Sequence, residues 1–396
     1  SFTVKWHPTD IKYENRLDYV KTEQMFPHEL EIHWLSILNS FVLVVLLTGF
    51  VVVILLRVLK ADYARYTKSR ETGDDTEDYG WKLIHGDVFR IPENITLWCA
   101  FIGIGTQFVV LFFVCLAMAF GEIITPTLPG GSVYTSVIIL YSLTSSIAGF
   151  VSAWFFKQIG GGAWAWNIVQ AATLFFIPMA IVAMFLNIIA SVYGTTQALS
   201  LPTLILLFSI YMFIGFPLTV VGGIAGRNLS SEYQAPCRVN HFVRMIPPVP
   251  FYRQAPFQYL VAGFLPFSGI YIELHYLFNS VWGHLSYHLY GILFLVFIIL
   301  LIVTSSITIA LTYFQLSVEN HHWWWRSFIS GGSTAFFVGL YSIFFYVYRS
   351  KMSGFLQTVF YFGRMFSVCV TFFFMLGAVG ALSSLFFVRR IYAKLD

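Results

Sequence analysis

Residues 288–314 read HLYGILFLVFIILLIVTSSITIALTYF, a run that contains no Asp, Glu, Lys or Arg. A helix of about 20 apolar residues is long enough to cross roughly 30 Å of hydrocarbon. The apolar residues follow one another directly and do not alternate with period 2, as they would in the strands of a membrane barrel. This stretch therefore predicts a membrane-spanning α-helix.

Eight other runs have the same character, so the chain is predicted to cross the membrane nine times. The predicted spans are 34–59, 95–120, 132–156, 165–190, 199–225, 259–278, 288–314, 327–348 and 356–388. Composition agrees, because 58% of the residues are apolar and only 11% are charged, whereas soluble domains carry about 25% charged residues. The predicted fold class is an all-α polytopic membrane protein.

The loops between the spans are strongly asymmetric in charge. On one side of the membrane they carry 13 Lys and Arg residues, and on the other side only 2. Since cytosolic loops are enriched in Lys and Arg, we predict a luminal N-terminus and a cytosolic C-terminus. Residues 1–33 are then expected to be the remnant of a luminal domain, and 34–396 the nine-span domain. Its cytosolic parts would be the loops 60–94 and 226–258 and the tail 389–396.

Two charged residues fall inside predicted spans, Glu273 in the sixth and Arg364 in the ninth. A charge within the bilayer is costly and usually finds a partner or faces water. Counting along the two helices places both residues in the luminal half at a similar depth. We predict that they form a polar pair, either as a structural tie or as part of a substrate or proton pathway.

The run Trp323-Trp324-Trp325-Arg326 precedes the eighth predicted span on the cytosolic side. Trp rings favour the headgroup layer and Arg favours phosphate. The run is predicted to be an interfacial anchor, or, more specifically, a contact for lipid headgroups or cargo. Elsewhere, Gly222–Gly226 and Gly377–Gly380 are predicted to be faces for close helix packing.

No catalytic pattern emerges from the sequence. It contains neither HExxH nor GxSxG, its glycine-rich turn lacks the Lys and Ser/Thr of a P-loop, and its four Cys residues have no metal-binding spacing. We therefore expect no catalytic residues, no metal site, no soluble cofactor and no nucleic-acid partner.

Five segments together resemble the nonaspanin family, also called the transmembrane nine superfamily. They are FPHELEIHWLSILNS (26–40), GWKLIHGDVFR (80–90), LPFSGIYIEL (265–274), ENHHWWWRSF (319–328) and IYAKLD (391–396). The resemblance covers the chain from Trp34 onward. It implies a large luminal domain ahead of nine spans, a location in Golgi and endosomal membranes, and a role in sorting other membrane proteins.

The resemblance also implies a sorting signal at the C-terminus. Lys394-Leu395-Asp396 matches the K-x-D ending that the family uses to bind the COPI coat. A cation followed by a side-chain carboxylate and the terminal carboxylate is a pattern that a charged pocket can recognise. Overlapping with it, Tyr392-Ala393-Lys394-Leu395 fits a tyrosine-based sorting pattern.

Two functional hypotheses remain. The first is a sorting receptor or chaperone for membrane-protein cargo, with a groove between spans open to lipid. The alternative is a small-solute or lipid transporter that uses Glu273 and Arg364. A continuous polar cavity reaching both membrane faces would favour transport, whereas an apolar groove open to the bilayer would favour binding of cargo or lipid.

Overall fold

A computed structural model describes residues 33–72, 80–121, 132–231, 235–240, 242–283, 290–350 and 352–393. Within these residues, nine helical segments are long and apolar enough to cross a membrane. The predicted nine-span all-α fold is therefore confirmed. Nearly all of the expected luminal remnant, residues 1–32, lies outside the described part of the chain.

Eleven α-helices build these nine segments, because the fifth and eighth spans each consist of two helices. They are α1 His33–Thr72, α2 Ile95–Phe120, α3 Ser132–Gln158, α4 Trp164–Val192, α5 Leu201–Ile210, α6 Phe216–Leu229, α7 Ala255–Gly283, α8 Tyr290–Leu316, α9 Trp323–Gly332, α10 Thr334–Tyr348 and α11 Phe355–Tyr392.

The first and last helices are longer than predicted. Helix α1 continues to Thr72 instead of ending at Leu59, and α11 continues to Tyr392 instead of ending at Val388. Residues 60–72 are polar but contain no Gly or Pro, so the helix has no reason to stop where the apolar run stops. Hydropathy marks where a helix leaves the hydrocarbon and not where it ends.

The fifth span is interrupted at its centre. A π-helical turn, Tyr211–Gly215, joins α5 to α6, and Pro217 follows in the first turn of α6. Proline has no N–H to donate and its ring displaces the carbonyl four residues earlier, and a π turn is one way to absorb that change. The hydroxyl of Tyr211 donates to the carbonyl of Ala172 in α4, which ties the widened turn to the neighbouring span.

Helices α3 and α6 pack backbone against backbone. A Cβ atom built at Gly222 would overlap the backbone oxygen of Ser146, and one built at Gly149 would overlap that of Thr219. Gly226 is equally close to α3. In lipid, helices associate through such close packing because burial from water no longer drives them together. The predicted packing face of Gly222–Gly226 is confirmed.

Buried polar side chains cross-link the spans next to this contact. Asn167 in α4 is fully buried; its Nδ2 donates to the carbonyl of Thr96 at 2.9 Å, and its Oδ1 accepts from the hydroxyl of Ser152 at 2.8 Å. Gln107 Nε2 donates to the carbonyl of Tyr141 at 3.1 Å. Helices α2, α3 and α4 are thus joined by hydrogen bonds that lipid cannot replace.

Residues 80–90, which we call the plug, lie at the end of the bundle where α2 and α9 begin and α8 and α11 end. We call this the basic end, since it carries the Arg- and Lys-rich loops. Trp81, Ile84, Val88 and Phe89 are all buried in the main core. The sequence assigned these residues only to the loop 60–94, and the structure adds that this part of the loop is packed into the core.

Candidate functional site

A groove opens sideways between α10 and α11, in the half of the bundle away from the basic end. Its volume is about 560 Å³. We call it the lateral groove. It is lined by Ala335, Phe336, Gly339, Leu340, Ser342, Ile343, Phe362, Met365, Phe366, Cys369, Val370 and Phe373.

The lateral groove has a largely buried floor and an apolar rim. Ala335 and Ser342 are buried, with Gly339 between them, whereas Phe336 and Phe366 on the rim are more than half exposed. The lining carries no charged side chain. These exposed rings lie within membrane spans, so the groove faces the hydrocarbon and not water.

Gly339 keeps the floor open. A Cβ atom built at this position meets only the Sγ of Cys369, at 3.6 Å, which is ordinary van der Waals contact. This differs from Gly222, where a neighbouring backbone fills the space. The glycine at 339 therefore leaves room in the groove and is not needed for packing.

Glu273 and Arg364 have different surroundings. Glu273 is 4% exposed and lines a cavity of about 20 Å³ with Val44 of α1 and Ile299 of α8. A cavity of that size holds about one water molecule. Arg364 lies on the opposite face of α11 from the lateral groove, and its Nη2 donates to Gln197 Oε1 at 2.8 Å. The pairing of the two charges stays a prediction.

Trp323 and Trp324 do not face lipid. Trp323 is 0% exposed and Trp324 is 4% exposed. The Nε1 of Trp323 donates to the carbonyl of Val88 in the plug at 2.9 Å, and the ring of Trp324 packs edge-on against Trp98 with 5.1 Å between centroids. For these two residues the predicted interfacial contact is wrong, because their rings fill the protein core.

The other two members of the run are half-buried. Trp325 donates its Nε1 to the carbonyl of Glu93 at 2.8 Å. Arg326 donates from Nη2 to the carbonyl of Arg253 at 2.7 Å and to Gln258. Both side chains connect loops at the basic end, and a lipid or cargo contact at Trp325 and Arg326 stays a prediction.

The end of α11 is held by the plug. Tyr392 is 0% exposed, its hydroxyl donates to the carbonyl of Trp81 at 2.6 Å, and the two rings meet edge-on at 5.3 Å. Lys394 and Asp396, the predicted coat signal, lie outside the described residues. Ile391 and Tyr392, which lie just before that signal, are therefore part of the folded core.

Charged groups at the basic end also connect the plug to neighbouring loops. Asp87 of the plug binds Arg90 at 2.7 Å and accepts from the backbone N–H of Arg244 at 3.3 Å. Burial, and then the neighbouring His322, lower the pKa of His321, while Asp87 acts in the opposite direction. In the described part of the chain, no group of three His, Cys, Asp or Glu residues is placed to hold a metal ion.

Sequence reasoning considered a groove between spans but did not locate it, and it did not identify the plug as buried, although each had a signal. Ala335, Gly339 and Ser342 recur at spacings of 4 and 3, which puts small residues on one helical face. In the plug, Trp81, Ile84 and Val88 follow the helix-like apolar spacing of a buried segment.

Comparisons with known proteins agree with this architecture. The family model described as Endomembrane protein 70 matches residues 1–355. The chain is 54% identical over 397 residues to "Putative phagocytic receptor 1b" of Dictyostelium discoideum, covering 100% of this chain and 67% of that protein. It is 48% identical over 395 residues to "Transmembrane 9 superfamily member 4" of Arabidopsis thaliana, covering 100% and 66%.

A mammalian relative, "Transmembrane 9 superfamily member 1" of Pongo abelii, is 47% identical over 408 residues, covering 100% of this chain and 66% of that protein. The chain thus spans about two thirds of the length of these relatives. No solved structure matches it. The family model, together with similarity over the whole of this chain at this level of identity, places the chain in the transmembrane 9 superfamily, the Endomembrane protein 70 family.

Proposed function

We propose that this protein sorts membrane-protein cargo in Golgi and endosomal membranes, and that the lateral groove binds a transmembrane helix of the cargo. The lateral groove is the observation that carries the proposal. It is apolar, opens toward lipid and lies between two spans. The family name and the relative called a phagocytic receptor are consistent with a role in the endomembrane system.

The shape of the lateral groove favours a helix over a lipid chain as its occupant. Small residues on its floor let another backbone approach closely, which is how helices associate in membranes. The lining residues extend from Ala335 to Ile343 on α10, a rise of about 12 Å at 1.5 Å per residue. That length accommodates about two turns of a partner helix.

A coat signal completes the proposal. Lys394 and Asp396 follow the end of α11 at the basic end, which the loop charges predict to be cytosolic. COPI binding there would return the protein, with its cargo, to earlier compartments. The partners we propose are therefore COPI, membrane-protein cargo and the surrounding lipids.

Filling the lateral groove should abolish sorting without unfolding the protein. Gly339→Leu places a side chain where only Cys369 is near, so the cargo helix is blocked while the fold is kept. In cells that lack the protein, some membrane proteins will be lost from the cell surface and restored by wild type. We expect Gly339→Leu to weaken cargo binding at least about tenfold, which is roughly 1.4 kcal/mol or more, and therefore to restore little of that set.

Gly49→Leu is the matched control, since nothing lies within 4 Å of a Cβ at that position in α1. It should restore the whole set. Full restoration by Gly339→Leu, at wild-type expression, would remove the lateral groove from the proposal.

The alternative function is transport of a small solute or lipid through the region of Glu273 and Arg364. It is favoured by the burial of Glu273 within a span, since ionisable residues in membranes mark pathways. The test is solute flux into liposomes that contain the purified protein. Flux that Glu273→Gln abolishes would establish the alternative.

Charge reversal tests whether Glu273 and Arg364 interact. If Glu273 and Arg364 face each other in any working state, Glu273→Arg or Arg364→Glu alone should lower folded yield or function several-fold. The double reversal, which restores opposite charges, should recover most of the loss. Double-mutant analysis of folded yield measures this, and additive losses in the double variant would show that the two charges do not interact.

A further inference from the structure

The C-terminal residues carry two overlapping sequence signals, and Tyr392 belongs to one of them. Lys394-Leu395-Asp396 has the K-x-D pattern, and Tyr392 with Leu395 has the tyrosine pattern. A partner for the first needs only the last three residues. A partner for the second must take up the tyrosine side chain, as partners that bind a short segment in an extended conformation do.

The described structure makes Tyr392 inaccessible. Its side chain is 0% exposed and its backbone is still helical. Tyr63 of α1, together with Trp81 and Phe89 of the plug, forms what we call the aromatic socket. Tyr392 meets Trp81 edge-on at 5.3 Å and Phe89 edge-on at 5.8 Å.

The backbone at this point is fixed as well. The hydroxyl of Tyr63 donates to the carbonyl of Ile391 at 3.5 Å, and the hydroxyl of Tyr392 donates to the carbonyl of Trp81 at 2.6 Å. Ala393 is the first exposed residue after this anchor. The last three residues therefore follow directly after the point where the chain leaves the core.

We infer that the aromatic socket determines which cytosolic partner can bind the tail, residues 389–396. It withholds Tyr392 from any adaptor that recognises tyrosine, whereas the K-x-D pattern contains none of the residues held in the socket. For the tyrosine signal to be read, the last turn of α11 must unwind and the ring must leave the socket. The inference rests on the proposed function, because it concerns which cytosolic partner takes the tail.

The test compares the intact protein in lipid nanodiscs with a free peptide of residues 389–396. Two soluble readers are used, a COPI subunit that binds K-x-D ends and an adaptor subunit that binds tyrosine motifs. We expect the adaptor to bind the peptide at least about tenfold more tightly than the intact protein. The affinities of the COPI subunit for the peptide and for the intact protein should agree within about threefold.

Trp81→Ala removes a wall of the socket and should raise adaptor binding by the intact protein toward that of the peptide. Trp166→Ala is the matched control, since Trp166 is 59% exposed, and should change nothing. Equal adaptor binding by peptide and wild-type protein would overturn the inference, and so would a peptide that does not bind the adaptor. The peptide comparison needs no variant, so it decides even if Trp81→Ala fails to fold.

Because the COPI subunit and the adaptor subunit are measured separately, failure of the proposed coat signal can be distinguished from failure of the aromatic socket. If COPI binds neither peptide nor protein, the coat signal fails while the adaptor result still stands. If COPI binds both and the adaptor does not discriminate between them, the socket fails while the coat signal stands.

Discussion

Replacing Gly222 with leucine should prevent α3 and α6 from packing. A Cβ atom at this position already overlaps the backbone oxygen of Ser146, and a backbone atom cannot rotate away as a side chain can. Overpacking of a tight contact costs about 3 kcal/mol, and in a membrane no hydrophobic driving force offsets it. We expect Gly222→Leu to lose most of its folded yield and to unfold at a much lower SDS fraction in mixed micelles.

The same substitution at Gly49 is the control, because it adds a leucine to a span where nothing lies within 4 Å. Gly49→Leu should unfold at the same SDS fraction as wild type. Equal stability of the two variants would mean that α3 and α6 do not approach as closely as described.

Replacing Trp323 with alanine should have the second large effect. The ring is completely buried, lies on Trp324 with 4.4 Å between centroids, and donates its N–H to Val88 of the plug. Truncation of a buried Trp or Phe to Ala costs about 3–5 kcal/mol. The free energy of unfolding should fall by that amount, and the plug should become accessible to proteases.

Trp166 offers a comparison of the same residue type at an exposed position in α4. An interfacial ring contributes little to the folded core, so Trp166→Ala should lower the free energy of unfolding by less than about 1 kcal/mol. If the two variants lost the same stability, Trp323 would be an interfacial anchor after all.

The spans could be predicted closely because their cause is local. Each needs an apolar run of sufficient length, and α2 begins and ends where its run does, at Ile95 and Phe120. The extension of α1 to Thr72 could not be predicted in this way, because polar helical residues outside the membrane leave no trace in hydropathy. Helix-breaking residues are the better guide there.

The candidate site was less accessible to sequence reasoning, because it depends on which spans are neighbours. Trp323 at a membrane boundary has the same composition signal whether its ring faces lipid or the core, and only its packing on the plug decides between them. The lateral groove requires α10 and α11 to be adjacent but not closed over Gly339. Hydropathy contains no information on either point.

Photocrosslinking in living cells can identify what occupies the lateral groove. A photoreactive amino acid at Leu340, which lines the groove, is compared with one at Ile181, which is exposed on α4. We expect protease-sensitive polypeptide adducts at Leu340 that are absent at Ile181 and disappear when Gly339→Leu is added. Adducts to lipid alone at Leu340, or the same polypeptide adducts at both positions, would contradict the proposed cargo binding.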